Sequence, residues 1–330
     1  MSFGFLDSSQ SYLNLMLIAF FLVPFFFIVF SMPYIIRKLT ENGHVVKDMY
    51  KKTMPNIPTN GGLPILLIAI FSLSILTLFY AKNITPINYT IIVVVVLFAL
   101  FGLLDDMVDI GRPAKLILLY YCSYPLIPLI TTTFIIFPFI GSVDLSIIYL
   151  QILIPTYVPV VANLVNMHSG LNGLAPGLSL IVLATLVLKA YFFGNIYNAL
   201  FIVCLTGAVA AYFLFEKYPS RIFWGNVGAL SIGAAIGCMI VTQGFIISGF
   251  ILLIPHTVNF LMYVYWRLNV RKYPIAKFGK ECDDGTVEVP NPLTLKWVMP
   301  YYFRMTERVA GYCMYGVTAI FCAIGFFYPG

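Results

Sequence analysis

The chain has 330 residues, of which 61% are hydrophobic and only 10% charged, with a formal net charge of +6. A soluble domain carries roughly 25% charged residues, so there is too little polar surface here to cover a water-soluble globule. Disorder, nucleic-acid binding and a secreted disulfide scaffold are excluded on the same ground, and the six cysteines form no C-x-x-C. What remains is an all-α integral membrane protein, because the long, continuous apolar runs favour helices over a closed barrel.

A spanning helix needs about 20 mostly apolar residues. On that length the sequence predicts about ten transmembrane helices, near 11–31, 61–80, 88–104, 116–137, 146–162, 174–193, 196–214, 229–242, 244–266 and 308–327. The first is not a signal peptide: no Lys or Arg precedes it, Asp7 does, and the run is long enough to span. The segments form one polytopic domain, 1–330, without repeats. Short, nearly uncharged connections alternate with polar ones at 35–60, 105–115, 163–173, 215–228 and 267–307. The polar set, with Arg308 at the edge of the last span, holds 17 of the 19 Lys and Arg, leaving Lys82 and Lys189 for the other side. The positive-inside rule makes the polar set cytoplasmic and, with ten spans, puts both termini outside. The longest loop, 267–307, predicts a small β-hairpin: 275–278 and 286–289 flank a turn at Asp283-Asp284-Gly285.

The chemistry sits in the polar loops. The first reads Asp48-Met-Tyr-Lys51-Lys52, then Pro55, Pro58 and Asn60-Gly61-Gly62 ahead of the second helix. Arg37 and Lys38 read as membrane anchors, whereas Lys51 and Lys52 are phosphate candidates beside a Gly-Gly helix start. At the end of the third helix, Asp105, Asp106 and Asp109 crowd together. If the helix continues, Asp105 and Asp109 share a face and repel, so Mg²⁺, Arg112 or Lys115 should offset them. Carboxylates with few nitrogen or sulfur neighbours favour Mg²⁺ over zinc. Asn163, Asn166, His168, Ser169, Gly170, Asn172 and Gly173 lie between two apolar segments. Asn brings a carbonyl oxygen for a metal and an amide donor for a phosphate, uracil or acetamido group. The alternative there is an Asn/Gly-rich turn joining two helices. Tyr218-Pro-Ser-Arg221-Ile-Phe-Trp-Gly225-Asn226 places one Arg beside a glycine turn leading into a helix, a phosphate-binding arrangement. Gly233-x-x-x-Gly237 reads instead as a close helix contact. Arg271-Lys272 forms a basic cluster at the membrane edge, with lipid headgroup contact as its plainer role.

In order along about ten spans, the Gly61-Gly62 start, Asp105-Asp106 with Asp109, the Asn163/Asn166/Asn172 run and Pro219-Ser-Arg-x-Phe-x-Gly resemble the polyprenyl-phosphate N-acetylhexosamine-1-phosphate transferases. Ser169, Pro219-Ser220-Arg221 and the 267–307 segment resemble the eukaryote-like branch, in an archaeal dolichyl-phosphate setting. The resemblance implies a ten-helix fold. It implies transfer of N-acetylglucosamine 1-phosphate, or a related HexNAc 1-phosphate, from the UDP-sugar to dolichyl or polyprenyl phosphate, releasing UMP. This would be the first membrane step of lipid-linked glycan assembly. It implies Mg²⁺, with Mn²⁺ as a substitute, and leaves a homodimer open. By the same resemblance Asn166 and Asn226 hold the metal on the UDP pyrophosphate and Asn172, with Gly173, contacts the uridine. Asp105 and Asp106 orient or activate the lipid phosphate, supported by Asp109 and Lys115. Lys51, Arg221, Arg271 and Lys272 bind phosphate or pyrophosphate, and 267–307 is the sugar-recognition loop. One departure stands out: the family carries Asp where this chain has Asn226. A catalytically silent homologue is therefore one alternative. A transporter of anionic nucleotide sugars is the other, though the polar motifs all fall at one face.

Overall fold

The computed structural model describes residues 8–108, 112–137, 140–269, 276 and 278–328. Its first helix, α1 (Ser8–Glu41), is 34 residues long, about 51 Å at about 1.5 Å per residue. That exceeds a bilayer core of about 30 Å, so α1 carries Arg37, Lys38 and Glu41 beyond it. A hairpin follows, β1 (Val45–Lys47) on β2 (Asn56–Pro58), with Val46 opposite Ile57. Then come α2 (Gly62–Tyr80) and α3 (Pro86–Met107), the latter begun by a proline whose missing N–H costs nothing in the first turn.

The next segment differs from the expected span at 116–137. A helix α4 (Arg112–Cys122) passes into a 3₁₀ stretch, Tyr124–Leu129, and then into a hairpin of β3 (Phe134–Phe137) on β4 (Gly141–Asp144). Pro125 and Pro128 remove backbone donors from the helix. The run Thr131-Thr132-Thr133-Phe134-Ile135-Ile136 is β-branched and aromatic, and such residues suit strands. A short turn α5 (Ser146–Ile148) continues through one π-helical turn into α6 (Ile154–Met167).

After α6 come α7 (Leu174–Phe193), α8 (Leu200–Glu216) and α9 (Gly225–Gln243). The next two helices, α10 (Ile246–Leu252) and α11 (Ile254–Leu268), meet at a 65° bend, where Pro255 opens the second. The last loop holds β5 (Lys280–Glu281) on β6 (Val287–Glu288) and the amphipathic α12 (Leu295–Tyr302). The chain closes on α13 (Glu307–Phe327), capped by the Thr306 hydroxyl accepting the Val309 N–H. The expected hairpin is present with the expected turn. Its first strand falls at Lys280–Glu281 rather than 275–278, and residues 275 and 277 lie outside the described ones. The hairpins β1–β2 and β3–β4 were not anticipated.

Eight helices among the described residues are long and apolar enough to cross a membrane, and the bent pair makes nine. The chain is a multi-pass membrane protein. Between α3 and the segment beginning at Ser146, α4 and its 3₁₀ extension form a shorter apolar stretch, below the length of the other spans. Met107 lies at the face that carries the polar loops, and so does Met167 at the far end of the segment beginning at Ser146. Residues between 107 and 146 must therefore travel the height of the bundle. Eleven α-helical and six 3₁₀ residues rise about 16 and about 12 Å, close to the bilayer core.

The most enclosed span is α9, which packs against α3 and α6. Small residues permit this: a Cβ at Gly233 would stand 2.6 Å from Ala162 Cα, and one at Gly237 3.0 Å from Val158 Cα. The helix-contact reading of that glycine pair holds.

Candidate active site

The site grows from the junction of α3 and α9. A Cβ at Gly102 would lie 2.7 Å from the Asn226 carbonyl oxygen and 2.9 Å from Val227 Cα. Only glycine allows that approach, and it presents the end of α3 to the start of α9. Lys115 Nζ donates to Asp105 Oδ2 at 2.8 Å, and Asn226 Nδ2 donates to the same oxygen at 3.2 Å. Asp106 lies against the first turn of α9, its Oδ2 3.2 Å from where a Cβ at Gly225 would stand, and it faces the Asn226 and Val227 N–H groups. Negative charge is favoured at that helix end. A carboxylate from another helix thus stands where the glycine turn had suggested a phosphate.

The Asp105 side chain is 11% exposed and its Lys115 partner 14%, so this is no solvated helix end. Asp106 remains open to solvent on one side. The helix stops at Met107, where Val108 turns extended. Asp109 lies outside the described residues, as do Arg271 and Lys272. Of the cations named to offset the acids, Lys115 is in place, and the Arg112 side chain lies outside the described ones.

A second cluster clasps the loops together. Asn172 Nδ2 donates to Asp48 Oδ2 at 3.0 Å, its Oδ1 accepts the Ser220 N–H at 2.9 Å, and its own N–H donates to Glu307 Oε1 at 2.6 Å. Lys51 pairs with Glu307 and lies 4.0 Å over the Tyr218 ring. Burial opposes the Lys51 charge, but the hydrogen bond and charge of Glu307 raise its pKa above the ordinary lysine value. Lys51 and Asn172, read from sequence as ligand groups, thus have their polar atoms committed to protein partners. Gly173 sits at φ +70 and its carbonyl accepts the Tyr315 hydroxyl at 2.7 Å. Behind the 220–226 turn, buried Glu216 accepts the Tyr212 hydroxyl at 2.6 Å and the Trp224 N–H at 2.9 Å.

The Gly-Gly start of α2 makes a backbone contact rather than a ligand cradle. Gly61 and Gly62 donate to Phe223 and Trp224 carbonyls at 3.0 and 2.9 Å. Arg221 is exposed, with its guanidinium 4.7 Å from the Phe215 ring centroid, and does not join the acids. Lys52 pairs with Asp283 at the surface.

Beside the acids lies a cavity of about 970 Å³ between α4, α6, α11 and α12. Lys115, Asn163, Asn166, Asn259, Arg267 and Lys296 are among its polar lining, and most of the rest of its wall is apolar or aromatic. Leu116, Val160, Phe250 and Leu261 belong to that wall and are themselves exposed. On a spanning bundle such apolar exposure faces lipid, so the cavity opens sideways into the membrane. Sequence reasoning brought Lys115, Asn166, Asn226 and the two acids to one region. It missed Lys296, Glu307 and Glu216. A lone acid at the end of an apolar run was the available signal for Glu216 and Glu307.

Residues 88–244 match the family described as glycosyl transferase family 4. A Saccharolobus solfataricus protein assigned as UDP-N-acetylglucosamine–dolichyl-phosphate N-acetylglucosaminephosphotransferase is 32% identical over 92% of this chain and 94% of its own. A Sulfolobus acidocaldarius protein assigned the same name is 29% identical over 83% and 84%. The phospho-N-acetylmuramoyl-pentapeptide-transferase of Clostridium kluyveri is 27% identical over 66% and 73%.

Proposed function

We infer that this chain, which belongs to the polyprenyl-phosphate N-acetylhexosamine-1-phosphate transferase family, transfers N-acetylglucosamine 1-phosphate or a related HexNAc 1-phosphate. The donor is the UDP-sugar, the acceptor dolichyl or another polyprenyl phosphate, and the leaving group UMP. One observation carries the reading: Lys115 belongs to two unlike environments at once. It is ion-paired with Asp105 and it lines the apolar cavity. A water-soluble nucleotide sugar suits the loop side of that point and an isoprenoid tail suits the cavity side. A phosphate joining them would lie beside Lys115.

Phosphoryl transfer asks a protein mainly for in-line positioning and for cations on the developing charge. The cavity holds the acceptor tail and aims its phosphate, whose oxygen attacks the sugar-bearing phosphorus of the donor as the bond to UMP breaks. Asp106, open on one side, orients that phosphate. Lys115 holds Asp105 in place and adds positive charge. Arg271 and Lys272 are proposed to meet the pyrophosphate. Asn172 and Gly173 shape the loop that the uridine meets.

The donor set around the acids is all oxygen: two carboxylates, the Asn226 amide carbonyl and, on the cavity wall, Asn166. That chemistry fits Mg²⁺. No group of three acid, His or Cys side chains forms a closed cage among the described residues, which suits an ion shared with substrate phosphates. Bound there, the ion would neutralise the pyrophosphate and ease departure of UMP. The motif face is proposed to be cytoplasmic, on the basis of its 17 of 19 basic residues.

The test is release of UMP by purified protein given UDP-GlcNAc, decaprenyl phosphate and Mg²⁺, with decaprenol replacing the phosphate as control. The expected result is a lipid-linked product formed only with the phosphate, and a loss of about 10²-fold or more in Asp106→Asn. Wild-type activity in that mutant would remove Asp106 from the site. No product under any metal would favour a silent homologue.

A further inference from the structure

Three cations line the cavity, and their charges are balanced unequally. Lys115 is paired with Asp105 at 2.8 Å. Arg267 is exposed at the rim, at the end of α11. Lys296 donates to the Ser169 carbonyl oxygen, a neutral partner, and forms no salt bridge among the described residues. Its neighbour Trp297 lies under the stem, with the ammonium 5.6 Å from the ring centroid. Gly170, at φ +109, lies against the ammonium, and any side chain there would displace it.

Among the described residues, no carboxylate pairs with Lys296. His168, at the end of α6, feels its charge. His168 packs edge-to-face on His256 of α11 at 4.8 Å, and both ring nitrogens of His168 and one of His256 lack a partner. The carboxylate that Lys296 does feel is Glu307 of α13, and it is already bound by Lys51 and the Asn172 N–H. A desolvated ammonium facing a cavity with no carboxylate of its own is costly unless an anion arrives.

We propose that Lys296 is a positioning residue for the acceptor: its ammonium turns from the Ser169 carbonyl to the phosphate of a polyprenyl phosphate in the cavity and sets the preference for anionic over neutral lipid. The inference rests on the transferase reading for the identity of the lipid. It concerns a residue outside the Asp105–Asp106–Asn226 group. The flexible four-carbon stem of lysine and its three donors allow such an exchange of partners.

The test uses full-length protein in detergent. Trp266 and Trp297 line the cavity, so intrinsic fluorescence reports its filling during titration with decaprenyl phosphate or decaprenol. Wild type should bind the phosphate at least about tenfold more tightly than the alcohol, the scale of one charge-assisted hydrogen bond. Lys296→Gln should reduce that ratio to about threefold or less, and Lys296→Arg should restore most of it. In turnover, Lys296→Gln should raise the KM for decaprenyl phosphate while leaving the KM for the UDP-sugar unchanged.

Burial pushes the Lys296 ammonium down to about 8, against the pull of Glu307. Wild-type preference for the phosphate should therefore fade between pH 7.5 and 9, and the fading should be absent in Lys296→Arg. Should Lys296→Gln fail to fold, the pH comparison of wild type with Lys296→Arg decides alone. An undiminished preference in Lys296→Gln, or identical pH profiles for wild type and Lys296→Arg, would make Lys296 only a prop for the 169 carbonyl and overturn the proposal. Loss of UMP release with lipid discrimination intact would instead sink the transferase reading and spare this one.

Discussion

Asn226 donates its amide to Asp105 at 3.2 Å and faces the neighbouring Asp106. It therefore quiets the repulsion between two neighbouring carboxylates, work that an acid at the same position could do only through a shared cation. Asn226→Asp should make the fold lean on metal. Without Mg²⁺ its melting temperature should fall below wild type, and Mg²⁺ should restore it by a larger increment than in wild type. The Mg²⁺ concentration for half-maximal UMP release should drop on the order of tenfold, the effect of about 1.4 kcal/mol of added attraction. Equal metal titrations for the two forms would remove position 226 from the metal site.

Lys51 presents a different choice at the same scale. Its side chain is 12% exposed and that of Glu307 only 3%, so breaking the pair strands a buried charge. Lys51→Met should cost about 3–5 kcal/mol, and adding Glu307→Gln should recover a good part of it. Thermal melts in detergent measure both. A wild-type melt for Lys51→Met with a raised KM for the UDP-sugar would return Lys51 to the phosphate role that the sequence suggested. Nothing in the sequence pairs residues 51 and 307. The partnership exists only because α13 delivers its first turn to the loop after α1, and for that reason it was not legible.

At the scale of elements, the site depends on how closely α3 and α9 approach. The atoms that a Cβ at Gly102 would meet are backbone, and backbone cannot rotate aside. Gly102→Ala should cost about 1–3 kcal/mol by overpacking. It should also reduce turnover by roughly tenfold or more, because Asp105 and Asp106 move relative to Asn226. Gly316, on α13, has nothing within 4 Å of its Cβ position. Gly316→Ala should leave turnover unchanged and add up to about 1 kcal/mol from helix propensity. Equal effects of the two substitutions would deny the α3–α9 contact its part in the site. The spans themselves were legible because apolar length is a local property. The fourth was misread because a β-hairpin of Phe, Ile and Thr is as apolar as a helix. Pro125 and Pro128 were the warning. The Gly61-Gly62 pair was legible as a helix start, but its contact with the 223–224 backbone was not.

For the whole molecule, contacts across the motif face fix the direction of every span. Asn172 after α6 meets Ser220 after α8, Asp105 on α3 meets Asn226 on α9, and Glu307 on α13 meets Lys51 after α1. The far face is marked independently. Lys189, near the end of α7, donates to the Phe326 and Tyr328 carbonyls at 3.1 and 2.6 Å, at the end of α13. With α4 and its 3₁₀ extension counted as a crossing, the parity is even and both described ends of the chain lie on the face opposite the motifs. The proposed orientation, with the basic motif face in the cytoplasm, follows from the positive-inside rule alone. Single cysteines in place of Thr59 and Ser220 should therefore react with a membrane-impermeant thiol reagent only after the membrane is opened. One in place of Asn83, between α2 and α3, should react in intact cells. The composite crossing has its own probe: Ser142, in the β3–β4 hairpin, should label with Asn83. Labelling of Ser142 together with Ser220 would overturn the composite crossing, because it would put the start of the segment at Ser146 on the same face as its end at Met167.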